Sequence, residues 1–171
     1  MFHFTRFLPQ WRRLLLSLLL VLPGLALAAI DGACQPNHWP DGDTFHYKNS
    51  KGQVVKVRVA GFDAPERGQP FSKVARERLV ALTEGGARCH CERKDKYGRQ
   101  VCTVRTPPGE NVAVIMLREG LGCIDPRFEG QAHPQDRLAA REALAQAKSQ
   151  QLGMWSEAKP VCAFDYRKQK K

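Results

Sequence analysis

Hydrophobic and polar residues alternate in short runs over residues 44–105, and this period of two predicts β-strands. Residues 44–48 ("TFHYK") and 53–60 ("QVVKVRVA") form the first pair, and "NSKG" between them has the composition of a turn. A second hairpin is predicted over "ARCHCERKDKYGRQVCTVRT", with "KDKYG" at its turn. This part of the chain therefore predicts strands that mostly follow one another directly.

Helical spacing of apolar residues occurs in three other segments. These are "PFSKVARERLVALTEGG", "NVAVIMLREGLG" and "DRLAAREALAQAKSQQLGMW", and glycines end the first two helices. The end of the chain predicts an ordered but irregular segment, "KPVCAFDY", and a solvated basic tail, "RKQKK". Because no βαβ rhythm is present, the pattern predicts a small α+β domain with a Greek-key-like sheet or barrel.

The first 28 residues have the pattern of a cleaved signal peptide. Arginines precede an apolar run over residues 14–27, and the run ends in the cleavage signature "ALA". A transmembrane helix needs about 20 apolar residues, whereas this run is shorter and contains a Pro-Gly break. The alternative is an uncleaved anchor. We therefore expect residues 29–171 to form one domain with a short basic tail, secreted or periplasmic, and free of the membrane after cleavage.

The cysteines indicate an oxidising compartment. All six follow the predicted signal peptide, and an even number in that context is typical of disulfides. The competing interpretation is a zinc site within "CHCERKDKYGRQVC", but C-x-C is a poor fit to the usual C-x2-C spacing. The sequence does not choose among the possible pairings. The cysteines are Cys34, Cys89, Cys91, Cys102, Cys123 and Cys162.

The net charge of the chain favours one class of binding partner. Lys and Arg number 27 against 17 Asp and Glu, which gives a formal net charge of +10. Such a surplus favours a polyanionic partner, most simply nucleic acid. A merely basic protein with no such partner has the same composition, so the charge alone does not identify a function.

Three polar clusters carry residue types that folding does not require. Taken singly, each fits an ordinary turn or an exposed strand position. Together, carboxylates at two strand ends suit one hard cation, arginines suit a phosphate, and a further carboxylate suits a water molecule. Such a set predicts attack on a phosphodiester. The clusters are Asp41-Gly42-Asp43, then Arg58 with Asp63 and Glu66, then Lys96-Tyr97-Gly98-Arg99.

Five segments in a fixed order connect these clusters to a known family. They are "DGDTF", "VRVAGFDAPE", "DKYGRQ", "LREGLG" and "LGMWSE". On them the sequence resembles the staphylococcal-nuclease-like (thermonuclease) family. The resemblance implies an α+β fold, a five-stranded OB-fold β-barrel with about three α-helices. It also implies a Ca²⁺-dependent endonuclease that cleaves DNA and RNA to 3′-phosphate ends, with Mg²⁺ or another divalent metal as the alternative. We expect a monomer.

The resemblance also implies a metal site. Asp43 and Asp63 match the carboxylate ligands of the family. Ala64 stands where the family contributes a backbone carbonyl, so its lack of a side-chain oxygen is no obstacle. Asp41 would lie close by, as a water-mediated or outer partner. The resemblance therefore implies a cation held mainly by oxygen atoms from two strand ends.

The catalytic and substrate-binding residues are implied in the same way. Glu66 matches the residue usually assigned as general base, and Arg58 and Arg99 match the two phosphate-binding arginines. Near the position of Phe128 the family has nucleotide-contacting tyrosines, so base preference stays open, as does the choice between a stacking and a buried phenylalanine. The implied substrate-binding residues are Lys96, Tyr97 and Phe128.

Two rival functions remain open from the sequence. A domain of the same fold could bind nucleic acid without catalysis, but such relatives usually lose the carboxylates or arginines that this chain keeps. A disulfide-stapled extracellular adaptor would explain the cysteines and leave the acidic and basic clusters unexplained. The complete set of carboxylates and arginines therefore favours the enzyme.

Overall fold

The computed structural model describes residues 30–170 together with Met1. Apart from Met1, the predicted signal peptide lies outside the described residues. Six strands are present: β1 (Ile30–Cys34), β2 (Pro36–His38), β3 (Thr44–Lys48), β4 (Val54–Val59), β5 (Ala87–Lys94) and β6 (Gln100–Arg105). The described residues also contain four α-helices: α1 (Ser72–Thr83), α2 (Val112–Arg118), α3 (Pro134–Ser149) and α4 (Ala163–Gln169). Short 3₁₀ turns occur at Glu129–Gln131 and Gly153–Ser156.

All six strands belong to one curled sheet that forms a half-barrel. Their order is β1-β5-β6-β4-β3-β2, and every neighbouring pair is antiparallel except β4 with β6. The predicted α+β, OB-like fold is confirmed. The described part has six strands and four helices where five strands and about three helices were expected.

The additional elements lie at the two ends of the described chain. β1 and β2 were not predicted, because strands of five and three residues that contain Gly and Pro show no usable alternation. β1 is held by pairing along the whole of its length with β5. At the other end, the expectation of an irregular segment is wrong for residues 163–166, which form the first part of α4, and this helix continues into the predicted basic tail.

The helices pack at different depths. α2 is buried on every side, as expected for a helix that is apolar all round. α3 presents alanines to it, and these small side chains allow the two helices to approach closely. Within residues 30–170, none of the helices has the length and apolar character needed to cross a membrane. Side chains with full burial in the core include Phe45, Val57, Leu79, Met116 and Leu117.

The cysteines form three disulfides, as the sequence predicted, and the fold settles the pairing. One bond joins strands β5 and β6 at positions that face each other in the ladder, and another joins β1 to β5. The third joins the segment after α2 to the residue that precedes α4. The alternative zinc site is therefore excluded, because its cysteines are oxidised. The pairs are Cys34–Cys89, Cys91–Cys102 and Cys123–Cys162.

Candidate active site

One open cleft brings the sequence-predicted site residues together. Its volume is about 800 Å³, and it lies where the loop before β3, the end of β4 and the β5–β6 turn meet the C-terminal segments. Every side chain or backbone predicted for the metal, the catalysis or the substrate lines it. They are Asp43, Arg58, Asp63, Ala64, Glu66, Lys96, Tyr97, Arg99 and Phe128.

Gly42 is required by the close packing of the loop that leads into β3. A Cβ at this position would lie 2.8 Å from the Ala75 Cβ on α1 and 2.9 Å from the Ala64 Cβ. Only glycine therefore lets the loop lie against α1. The "DGD" motif places two carboxylates on either side of this contact, and Asp41 accepts a hydrogen bond from the Asp43 N–H at 3.1 Å.

Asp43 and Asp63 are brought together by one arginine. The Arg58 Nη2 atom lies 3.1 Å from Asp43 Oδ2 and 3.0 Å from Asp63 Oδ1. Arg58 reaches this place because it pairs with Thr44 in the β3–β4 register. The Ala64 N–H also donates to Asp43 Oδ2, at 3.1 Å. Because a single nitrogen contacts both carboxylates, both are within reach of one bound cation.

Both carboxylates are buried, and this makes them costly to ionise without a cation. Asp43 is 8% exposed and Asp63 is 5% exposed. Burial raises the pKa of Asp43, and the opposing effect of the Arg58 charge does not cancel it. Burial likewise raises the pKa of Asp63, despite hydrogen bonding from an arginine of α4 and the charge of Arg58. The two groups therefore favour a nearby positive charge.

The donor set fits a hard divalent cation. Both side chains offer oxygen, which Ca²⁺ and Mg²⁺ prefer, and neither histidine nor a free thiol is present in the cleft. Across the described residues, no group of three or more His, Cys, Asp or Glu is arranged to hold a metal. A cation here would therefore complete its shell with backbone oxygen and water, as Mg²⁺ and Ca²⁺ commonly do.

Glu66 lies next to Asp63, in a loop fixed by a buried glutamine. The Glu66 N–H donates to Gln69 Oε1 at 2.7 Å, and Gln69 Nε2 donates to the Val161 carbonyl at 2.9 Å. The loop is thus tied to the segment that precedes α4. The Glu66 side chain is 39% exposed, so its carboxylate faces the cleft rather than the core.

Arg99 is held by an aspartate that the sequence interpretation missed. Asp95 accepts from the Arg99 side-chain Nε at 2.7 Å and from the N–H groups of Arg99 and Tyr97. Burial alone would raise the pKa of Asp95, but these hydrogen bonds outweigh it and hold the pKa below its ordinary value. The Arg99 Nη1 atom also lies 3.3 Å from Thr44 Oγ1. The sequence did contain a signal for Asp95. An Asp at the start of a turn commonly accepts a hydrogen bond from the backbone two residues further on, here from Tyr97.

Two exposed aromatic rings flank the cleft. Tyr97 is 69% exposed, and Lys96 Nζ lies 5.1 Å from its ring centroid. Phe128 is 50% exposed, with the Arg127 guanidinium 5.3 Å from its ring centroid. Phe128 is therefore not a core residue. Exposed rings with cations beside them are the arrangement on which nucleic-acid bases stack.

Arg167 of α4 is the main feature that the sequence interpretation missed. Its Nη2 lies 2.7 Å from Asp63 Oδ2 and its Nη1 lies 2.5 Å from Glu66 Oε1. The expectation of a solvated tail is wrong for this residue. No local pattern could have revealed the contact, because about 100 residues separate the partners.

Comparisons with known proteins match most of the chain to relatives. A family model described as staphylococcal nuclease homologue matches residues 56–157, which is more than half of the chain. A micrococcal nuclease of Shigella flexneri is 34% identical over 140 residues, covering 77% of this chain and 78% of the relative. An uncharacterized endonuclease of Escherichia coli O157:H7 is 29% identical over 131 residues, covering 76% and 81%.

A fungal relative is longer. A probable endonuclease LCL3 of Verticillium alfalfae is 33% identical over 118 residues, which is 63% of this chain and 41% of that protein. The chain thus spans less than half of this relative and most of the two bacterial ones. Together the names of the relatives support endonuclease activity in general, and with it a nuclease hydrolase.

Proposed function

Because the chain belongs to the staphylococcal nuclease homologue family, we propose that it is a Ca²⁺-dependent endonuclease that hydrolyses DNA and RNA. One observation carries this proposal. Buried carboxylates, a further carboxylate and two arginines, which are far apart in sequence, meet in one cleft with exposed aromatic rings at its edge. This combination serves phosphodiester hydrolysis and has no evident use in a structural domain.

The cation would be held by the Asp43 and Asp63 carboxylates and the Ala64 carbonyl oxygen. When bound, it supplies positive charge that stabilises the phosphate as negative charge builds up on it. The same donors accept Mg²⁺ or another divalent metal. The burial of both carboxylates supports this assignment, since their charges need a cation close by.

The remaining roles belong to side chains of the cleft. Arg58 and Arg99 bind the non-bridging phosphate oxygens, because a guanidinium fork matches their geometry. Glu66 takes a proton from the attacking water, whose oxygen bonds to phosphorus. The bond from phosphorus to the 5′-oxygen breaks, that oxygen takes up a proton from water and leaves as a hydroxyl, and the product keeps a 3′-phosphate. Lys96, Tyr97 and Phe128 hold the neighbouring nucleotides by charge and stacking.

The covalent structure supports a location outside the cytoplasm. Three disulfides among the described residues are compatible with the periplasm or the exterior of the cell. We propose a secreted or periplasmic enzyme that acts as a monomer on nucleic acid outside the cytoplasm. The signal-peptide pattern of the first 28 residues supports the same location.

Nicking of supercoiled plasmid by the oxidised protein tests the function. We expect cutting with Ca²⁺, weaker or absent cutting with Mg²⁺, and none in EDTA. Glu66→Gln should lower the rate by about 100-fold or more, because a general base typically contributes that much. Glu77→Gln is the matched control, since Glu77 lies on α1 and pairs with Lys73 away from the cleft. Mass spectrometry of a cleaved oligonucleotide should show 3′-phosphate ends.

The results of this experiment distinguish the proposed enzyme from a non-catalytic nucleic-acid-binding domain. A folded protein that cuts with none of these metals, and that still shifts DNA in a gel, is the non-catalytic binder. A protein that neither cuts nor shifts DNA contradicts both functions. Cutting that survives EDTA would overturn the metal requirement alone.

Binding of nucleic acid should depend steeply on salt. We expect the affinity for a single-stranded oligonucleotide in EDTA to fall about tenfold or more between about 50 and about 200 mM NaCl, because phosphate contacts release counterions. Fluorescence anisotropy measures this. Lys96→Ala should reduce the slope by about one unit, whereas Lys73→Ala, at an exposed position of α1 that does not line the cleft, should leave it unchanged. A flat salt response would contradict a polyanionic substrate.

A further inference from the structure

Asp63 is contacted by two arginines that belong to different elements of the fold. Arg58 approaches Asp63 from β4, at Oδ1. Arg167 approaches from α4, with Nη2 at 2.7 Å from Asp63 Oδ2 and Nη1 on Glu66. Arg167 therefore bridges a buried carboxylate that is assigned to the cation and an exposed one that is assigned to the water.

α4 is fastened to this place by a covalent bond. Cys162 immediately precedes α4 and is bonded to Cys123. The backbone of Cys123 in turn pairs with Asp63, through N–H to carbonyl hydrogen bonds of 2.8 and 3.0 Å in the two directions. One disulfide thus links the chain segment that carries Asp63 to the helix that carries Arg167. The guanidinium is consequently held at a high effective concentration beside its partner.

The buried glutamine adds a second fastening. Gln69 joins the Glu66 backbone to the Val161 carbonyl, one residue before the disulfide. The loop that carries Glu66 and the segment that leads into α4 therefore move together. The position of Arg167 is set by two independent links, which is unlike a flexible basic tail.

Two other basic residues, Lys168 of α4 and Lys170 just after it, do not share the contact. Lys168 bonds Asp165 of its own helix, at 2.8 Å, and the Lys170 ammonium lies over the Tyr166 ring. Arg167 also differs from an ordinary surface ion pair, because the side chain of Asp63 is only 6% exposed. An exposed pair contributes little, whereas a buried carboxylate left without a cation is costly.

We propose that Arg167 is a positioning residue that balances the charge of Asp63 and holds Glu66 until a divalent cation competes for the Asp63 carboxylate. The inference rests on the proposed metal site. The Arg167 guanidinium contacts both oxygens of Asp63, at 2.7 and 3.4 Å, so a cation and Arg167 compete for one carboxylate and each weakens the binding of the other. This coupling is reciprocal. The apparent affinity for the metal is therefore set partly by the stability of the Arg167 contact.

Calcium titration by calorimetry, without nucleic acid, tests the proposal directly. We expect Arg167→Gln to bind Ca²⁺ about tenfold more tightly than the wild-type protein, within the usual range of such coupling. Arg167→Lys should lie between the two, because it keeps the charge and loses the fork. Lys170→Gln removes the same charge from the same segment without touching Asp63, and should leave the affinity unchanged.

A second variant removes the disulfide that anchors α4 and leaves the Arg167 guanidinium in place. Cys123→Ser with Cys162→Ser removes one of the two links that hold α4, and should tighten Ca²⁺ binding, though less than Arg167→Gln does. Adding Arg167→Gln to this pair should bring the affinity only to that of Arg167→Gln alone, because both changes act on the same contact. Circular dichroism and thermal melting in EDTA and in saturating Ca²⁺ show that each variant is folded, and the difference in Tm between Arg167→Gln and wild type should shrink in Ca²⁺.

The possible results are distinct. Equal or weaker Ca²⁺ binding by folded Arg167→Gln overturns the proposal, and leaves the nuclease intact if plasmid is still cut. Binding by Arg167→Gln but not by wild type supports it strongly. Absence of Ca²⁺ binding in every variant overturns it, and loss of metal-dependent nicking as well means that the proposed function itself has failed.

Discussion

Replacing Arg58 by alanine is expected to lower kcat by about 100-fold or more, the scale seen when one transition-state donor is removed. The reason is the position of Arg58 in the cleft, where one nitrogen of its guanidinium contacts both buried carboxylates, those of Asp43 and Asp63. Arg99→Ala should have an effect of similar size, because Arg99 is fixed toward the cleft by Asp95. Initial rates on an oligonucleotide with saturating Ca²⁺ measure both.

The control for this prediction is an arginine of similar bonding outside the cleft. Arg78 pairs with Glu119 between α1 and α2, with both side chains partly exposed. Arg78→Ala should leave kcat near the wild-type value. Wild-type turnover in both Arg58→Ala and Arg99→Ala would show that the site has been assigned to the wrong residues.

Replacing Gly120 by alanine is expected to destabilise the protein by about 3 kcal/mol or more. Gly120 follows α2 with φ +71°, and an added Cβ would lie 2.1 Å from the Leu152 carbonyl oxygen. The residue facing it is Gly153, whose own Cβ would lie 2.4 Å from the Gly120 carbonyl oxygen. Backbone therefore packs directly on backbone, and a methyl group adds both overpacking and strain at positive φ.

Urea unfolding followed by circular dichroism measures this loss. Gly85→Ala is the matched control, because a Cβ there meets nothing within 4 Å and the backbone is not left-handed. It should change the free energy of unfolding by less than about 0.5 kcal/mol. If Gly120→Ala unfolded at the same urea concentration as Gly85→Ala, that result would contradict the close approach of Gly120 to Gly153.

Gly120 and Gly153 show how much of the fold could be predicted from the sequence. The segments "LREGLG" and "LGMWSE" were informative because of their resemblance to a family, and their physical cause, two backbones in contact, is visible only in three dimensions. The strands β3 to β6 and the helices α1 to α3 were predictable, because each has a clear period over five or more residues. The strands β1 and β2 and the helix α4 were not, because they are short and are stabilised by their partners.

The residues of the candidate site likewise fall into those that the sequence predicted and those that only the structure revealed. Asp43, Asp63 and Glu66 follow or precede strand ends, which is where sequence predicts functional carboxylates, and the cleft collects them as expected. Asp95 was within reach of sequence reasoning, since turn chemistry marks it. Phe128 was open between a buried and a stacking position, and only its exposure in the folded structure decides for the cleft.

By itself, then, the sequence determined the fold class, the family and the set of acidic and basic residues, because these depend on short-range patterns and motif order. The tertiary structure decided which cysteines pair, which ring faces the solvent, and that Arg167 meets Asp63 and Glu66. The physical reason is sequence distance. A contact across about 100 residues is fixed by the disulfide and by packing, and leaves no periodic trace in the chain.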